Sequence, residues 1–269
     1  MRVRPPAVAG QFYEGSAEKL RQQVLRCLPK HPLATQEALG TVVPHAGLMY
    51  SGAVAGSVYA SLVLPATVVL LGPNHTGEGA PLSLTAADSW ETPLGRSEVD
   101  QEFAQRLLKA LPGLKQEEDA HQWEHSLEVQ LPFLQHLGKG IRIVPVVLGF
   151  GSIQAYQEVG ERVAEVIREF PRSVLVLASS DMTHYEPHEE VKAKDGYAIE
   201  AILALDEKGL VKRIRERNIS MCGVAPTVAM LSCVKSLGAT SGRLVKYQTS
   251  GDSSGDYSAV VGYAGIVIQ

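Results

Sequence analysis

Val68-Val69-Leu70-Leu71-Gly72-Pro73-Asn74-His75 is the stretch on which the reading of this chain turns. Four consecutive apolar residues show no alternation between a wet and a dry face, so a strand here is buried on both sides. Gly72 and Pro73 end it, and a histidine follows at once. The same pattern recurs twice. Thr41-Val42-Val43 runs into Pro44-His45-Ala46-Gly47, and the apolar run 174–178 runs into Ser179-Ser180-Asp181-Met182-Thr183-His184. Helical spacing is found over 17–28, 53–62, 99–111, 126–137 (with Pro132 as an expected kink) and 152–170. Residues 141–148 read as another buried strand. Helices are expected again over 191–205, 209–217 and 225–237, and two strands over 243–248 and 259–268. Buried strands alternating with helices imply an α/β fold, a three-layer sandwich with a mostly parallel central sheet. In such sheets ligands bind beyond the carboxyl ends of the strands.

Composition is consistent with this. The 269 residues are 45% hydrophobic and 20% charged, enough for one core and one domain over 1–269. A net charge of −4 with scattered basic residues argues against nucleic acid and against an anionic membrane surface. Lys212, Arg213, Arg215 and Arg217, the densest basic group, read as a solvated helix face. No run approaches the ~20 apolar residues of a membrane span, and residues 1–10 lack the apolar segment of a signal peptide. Three cysteines, Cys27, Cys222 and Cys233, are too few and too irregular for a disulfide framework, which points to a reducing cytoplasm.

The histidines carry the chemistry. Neutral imidazole is a common metal ligand and the side chain best matched to proton transfer near neutral pH. His45, His75 and His184 each follow a strand expected to be buried, and parallel strands bring their carboxyl ends to one edge. Any one alone reads as easily as a loop cap. Met221-Cys222-Gly223 precedes a helix with Pro226 in its first turn, a setting expected to lower the Cys222 thiol pKa. Cys27 and Cys233 lie in amphipathic helices and read as small buried apolar residues. Two short patterns point elsewhere. Gly251-Asp252-Ser253-Ser254-Gly255 fits G-x-S-x-G, but no histidine lies beyond His188, so a polar turn between two strands is expected. His121-Gln122-Trp123-Glu124-His125 fits the zinc-peptidase pattern H-x-x-E-H, which requires a helix presenting both histidines on one face.

Taken together, Pro6-Ala7-Val8-Ala9-Gly10-Gln11-Phe12-Tyr13, Val43-Pro44-His45-Ala46-Gly47, Gly72-Pro73-Asn74-His75, Glu124-His125-Ser126-Leu127-Glu128, Ser179-Ser180-Asp181 with His184, and Cys222-Gly223 resemble the MEMO family over nearly the whole chain. Its prokaryotic members are called AmmeMemoRadiSam system protein B, after a recurring association with a radical SAM protein and an AMMECR-type protein. The family is similar in fold to LigB-type class III extradiol dioxygenases. By that resemblance His45 and His75 correspond to metal ligands and Cys222 stands where those dioxygenases have a carboxylate. His184 matches the acid/base histidine, with Asp181 orienting it or a water and His125 a further proton carrier. One transition metal ion is implied, Fe(II) first. Cu or Zn becomes an option because a thiolate softens the site. The resemblance implies either a metal-dependent oxidoreductase acting on an unknown small molecule or a metal-binding accessory protein for the radical SAM partner. Eukaryotic relatives carry Arg-His where this chain has Val224-Ala225, so peptide recognition built on that pair is not implied here.

Overall fold

Chain order in the computed structural model, which describes residues 2–138 and 140–269, starts with strand β1 (Val3–Arg4), helix α1 (Ala17–Cys27), β2 (Gly40–Val43), α2 (Leu48–Ala60) and β3 (Thr67–Pro73). Four short strands and a helix follow: β4 (Leu82–Thr85), β5 (Ser89–Thr92), β6 (Gly95–Glu98), α3 (Gln101–Ala110) and β7 (Lys115–Glu117). Then come α4 (Leu131–Leu137), β8 (Arg142–Leu148), α5 (Ile153–Arg168), β9 (Val174–Ser179) and β10 (His184–Glu186). The chain closes with α6 (His188–Leu203), α7 (Glu207–Arg217), α8 (Val224–Ser236), β11 (Gly242–Thr249), the one-turn α9 (Gly251–Ser254) and β12 (Val260–Ile268).

The main sheet runs β10-β12-β2-β9-β3-β8-β4-β7, with β11 also on β12. Its centre, β2-β9-β3-β8, is parallel. The flanks are not: β12 runs against β2, β10 and β11, and β4 runs against β8. Alternate side chains of the central strands enter two cores. Val69, Leu71, Val144, Val146, Val176 and Ala178 pack towards α3, α5, α6 and α8. Val68, Leu70, Ile143, Val147, Leu175 and Leu177 pack towards α1, α2 and α4. Helices therefore cover both faces, as the unbroken apolar runs require. Each fully buried Val or Leu contributes about 1.5–3 kcal/mol relative to exposure.

Some expectations from spacing are corrected. Pro132 lies in the first turn of α4, where its missing N–H leaves no bond unmade, so the helix begins there after a 3-10 turn at Glu128–Gln130. No kinked helix runs from 126. Helix α2 starts at Leu48, five residues ahead of the expected start, and so lies directly behind His45. The polar turn expected at 251–255 is the single helical turn α9. Among the described residues no helix is long and apolar enough to cross a membrane.

Candidate metal centre

β2, β9 and β3 are neighbours, with Val43 beside Ser179 and Leu71 beside Ala178. Their carboxyl ends deliver His45, the Ser179-Ser180-Asp181 turn and His75 to one edge. A fourth segment, the irregular 118–127 loop after β7, brings in His125. His45 is 1% exposed, whereas His75 is exposed and His125 half-buried. Ring centroids of His45 lie 5.2 Å from His75 and 5.5 Å from His125, and His75 stacks on His125 at 4.6 Å. One ligand atom from each of the three lies within 4.8 Å of the others.

The surroundings prepare these rings to ligate. His75 donates its backbone N–H to Glu124 Oε2 at 2.6 Å, and its Nδ1 sits 2.9 Å from Glu124 Oε1. The ionised carboxylate can only accept, so Nδ1 carries the ring proton and Nε2 keeps its lone pair, the arrangement that orients metal-bound histidines. Glu124 stays ionised: burial alone would raise its pKa, but the His75 bond and charge, the Ser126 N–H and nearby His125 outweigh it and hold the carboxyl at about 2. Burial lowers the His125 pKa to about 4, reinforced by His75 and opposed by Glu124. Burial likewise pushes His45 well below its usual range, helped by His125, His75 and His184. The two more deeply set rings are thus neutral at pH 7, the form that binds a cation. Three imidazoles, one of them held by the Glu124 carboxylate, suit a borderline transition metal.

Around this group stand the other expected site residues. His45 Nδ1 meets Ser179 Oγ at 2.9 Å and Nε2 lies 3.3 Å from Cys222 Sγ. Cys222 adjoins the cluster, although the mutually close set is the three histidines. Its thiol is not activated in this state. The helix terminus was expected to lower its pKa, but burial, joined by the Asp181 charge, pushes it well up. Asp181 accepts the N–H groups of His45 and Ala46, yet burial raises its carboxyl to about 6. His184 donates Nδ1–H to the Ser220 carbonyl at 2.9 Å, because a carbonyl can only accept, and Nε2 is left as its basic atom. A cavity of about 590 Å³ is lined by all three clustered histidines together with Asp181, His184 and Tyr263.

The peptidase pattern does not form. Residues 121–127 are turns rather than a helix, and His121 is fully buried, edge-on to Trp90 with ring centroids 5.8 Å apart. What the spacing concealed was the support of the His125 loop. Arg4 bonds the carbonyls of His121 and Glu124 at 2.8 and 2.7 Å and pairs with Glu128 at 2.6 Å. Glu128 also accepts from the N–H groups of Ala7 and Val8 and from the Tyr13 hydroxyl. The N-terminal motif thereby acts as a clamp on the loop that carries Glu124 and His125. The only hint in the sequence was the pair of acids flanking His125.

The profile of the Memo-like protein family matches residues 4–267. A MEMO1 family protein of Methanopyrus kandleri is 46% identical over 280 residues, covering 99% of both chains. One from Methanosarcina acetivorans is 45% identical over 270 residues with full coverage of both, and one from Aquifex aeolicus is 44% identical over 268 residues with 99% of both covered. Among solved structures, an uncharacterized protein of Escherichia coli K12 shares the fold at a TM-score of 0.56 with 12% identity, covering 85% of this chain and 98% of that one. Strand-end histidines, the clamped His125 loop and end-to-end similarity agree, and the chain belongs to the Memo-like protein family.

Proposed function

We propose that this protein binds one transition metal ion at the β2, β9 and β3 strand ends and uses it in redox chemistry on a small molecule. The observation that supports this best is the mutual approach, within 4.8 Å, of donor atoms from His45, His75 and His125. His45 and His75 are the anchoring ligands in this reading. His125 is the third of the clustered donors, and Cys222 Sγ, 3.3 Å from His45 Nε2, is the nearest further one. Fe(II) is the first candidate on the dioxygenase-like resemblance, with Cu and Zn next because a sulfur lies so close. When bound, the ion would supply Lewis acidity and, if iron or copper, an electron.

The chain's own residues do the rest. The cavity beside the cluster has room for a small substrate, with Phe12, Tyr50 and Tyr263 among the residues that line it. His184, held through Nδ1 by Ser220, presents Nε2 to take or return a proton. Asp181, with a carboxyl pKa near 6, stands at the same wall and changes charge close to neutral pH. The test is metal analysis of protein purified without oxygen, followed by admission of oxygen and a panel of small-molecule reductants. Stoichiometric metal with metal-dependent turnover that falls in His184→Gln supports the reading. Metal-free protein that fails to take up Fe(II), Cu(I) or Zn(II) overturns it.

A further inference from the structure

We propose that Ser179 is a positioning residue, backed by Gln130, which locks His45 in the tautomer carrying its proton on Nδ1 and so directs the Nε2 lone pair into the centre. The tautomer follows from hydrogen-bond capacity alone; only its consequence for a metal rests on the proposed function.

The argument starts in the core. Tyr59 is buried, its ring stacked on Phe133, and its hydroxyl lies 2.8 Å from Gln130 Oε1. The other end of the Gln130 amide is 3.1 Å from the Pro44 carbonyl oxygen and 2.9 Å from Ser179 Oγ. A carbonyl oxygen can only accept. Turning the amide over would set two acceptors against each other at Pro44, so Nε2 faces Pro44 and Ser179 and gives one hydrogen to each. Tyr59 then donates to Oε1. Ser179 has a single hydroxyl proton, and the Ser126 carbonyl, 2.7 Å away, takes it. Towards His45 Nδ1, at 2.9 Å, Ser179 therefore has only a lone pair to offer. The proton of that bond must come from the ring.

Gln130, Ser179 and His45 are all buried, so water cannot relieve a mismatch at any link, and an unmade bond there carries the full desolvation cost. The chain of groups comes from α2, the 3-10 turn and β9, elements fixed by packing on the sheet. Neither Ser179 nor Gln130 needs to touch a metal to exert this control. Partners of this kind typically change metal affinity by about 10–100-fold when removed.

Protein labelled with ¹⁵N-histidine, metal-free at pH 8, tests this through long-range ¹H–¹⁵N correlations of His45. The wild type is expected to show a protonated Nδ1 and an unprotonated Nε2. Ser179→Ala should lose the single tautomer and bind Zn(II) about 10–100-fold more weakly in a chelator competition, while Ser179→Thr, which keeps the hydroxyl, restores both. A wild-type His45 protonated on Nε2, or an Ala variant with an unchanged tautomer, overturns the proposal. If Ser179→Ala does not fold, the wild-type spectrum decides alone. A wild type with the expected tautomer but no Zn(II) uptake would defeat the proposed function and leave this inference standing.

Discussion

Glu128→Gln is the perturbation that probes the clamp on the His125 loop most sharply. The substitution keeps volume and shape, so no cavity forms. It replaces one carboxylate oxygen with an amide that donates, and every partner there also donates: Arg4 Nη1 and Ala7 N on one oxygen, Val8 N and the Tyr13 hydroxyl on the other. Either orientation places N–H against N–H and leaves the Arg4 charge, its side chain 1% exposed, without its counter-ion. Breaking a buried pair from one side costs about 3–5 kcal/mol. In a chain of this size each kcal/mol is worth about 2–4 °C, so Tm should fall by about 6–20 °C. Arg4 also bonds the carbonyls of His121 and Glu124, and a loosened Arg4 frees the loop that presents His125. Metal affinity should therefore fall together with stability. Calorimetry with and without Zn(II) measures both. A variant melting within about 2 °C of the wild type, with unchanged affinity, would refute the clamp.

Acid should destabilise the metal-free protein from about pH 6.5 downward. His125 titrates near 4 when folded and near 6.5 when unfolded, so the unfolded chain binds more protons across that window and stability drops by about 3 kcal/mol. His45 shifts in the same direction, and Glu124, held at about 2, adds a loss below its ordinary 4.5. Asp181, raised to about 6, binds its proton more readily when folded and so opposes the loss between about pH 6 and 4; two histidines against one carboxyl leave a net loss. Urea midpoints that do not fall between pH 8 and 5 would contradict this. Two glycine substitutions should separate in sign. Gly56→Ala puts a Cβ 2.3 Å from the Cys27 carbonyl oxygen and must force α1 from α2, a loss of about 1–3 kcal/mol. Gly196→Ala, in α6 with nothing within 4 Å, should stabilise by up to about 1 kcal/mol through helix propensity, and equal midpoints for the two variants would contradict the packing.

The central strands were legible because an apolar run with no alternation has few other readings, and β3, β8 and β9 lie where those runs do. With β2, β9 and β3 adjacent and parallel, His45 and His75 come to one edge, and His184, five residues past β9, lines the cavity beside them. The small strands β4 to β7 were not legible. Gly95–Glu98 and Lys115–Glu117 are short, polar edge segments whose pairing is set by tertiary contacts, not by period. The place of His125 was hidden for a related reason. Its loop is shaped by Arg4 and Glu128, 124 residues apart in the chain, and no local spacing reports such a pair. The Cys222 thiol was misjudged because a helix terminus is visible in sequence, whereas the burial and the Asp181 charge that outweigh it are not.

X-ray absorption at the metal edge of stoichiometrically loaded protein tests the central claim most directly, with wild type and His45→Ala measured side by side. The account predicts imidazole nitrogen scattering near 2.0–2.1 Å in the wild type, for a Zn(II)-loaded sample, with that shell reduced and the ion lost or weakly held in the variant. A sulfur shell near 2.3 Å would show Cys222 joining the histidines. An ion retained in His45→Ala with the same first shell as the wild type would contradict the account, because the metal would then sit somewhere other than the β2, β9 and β3 strand ends.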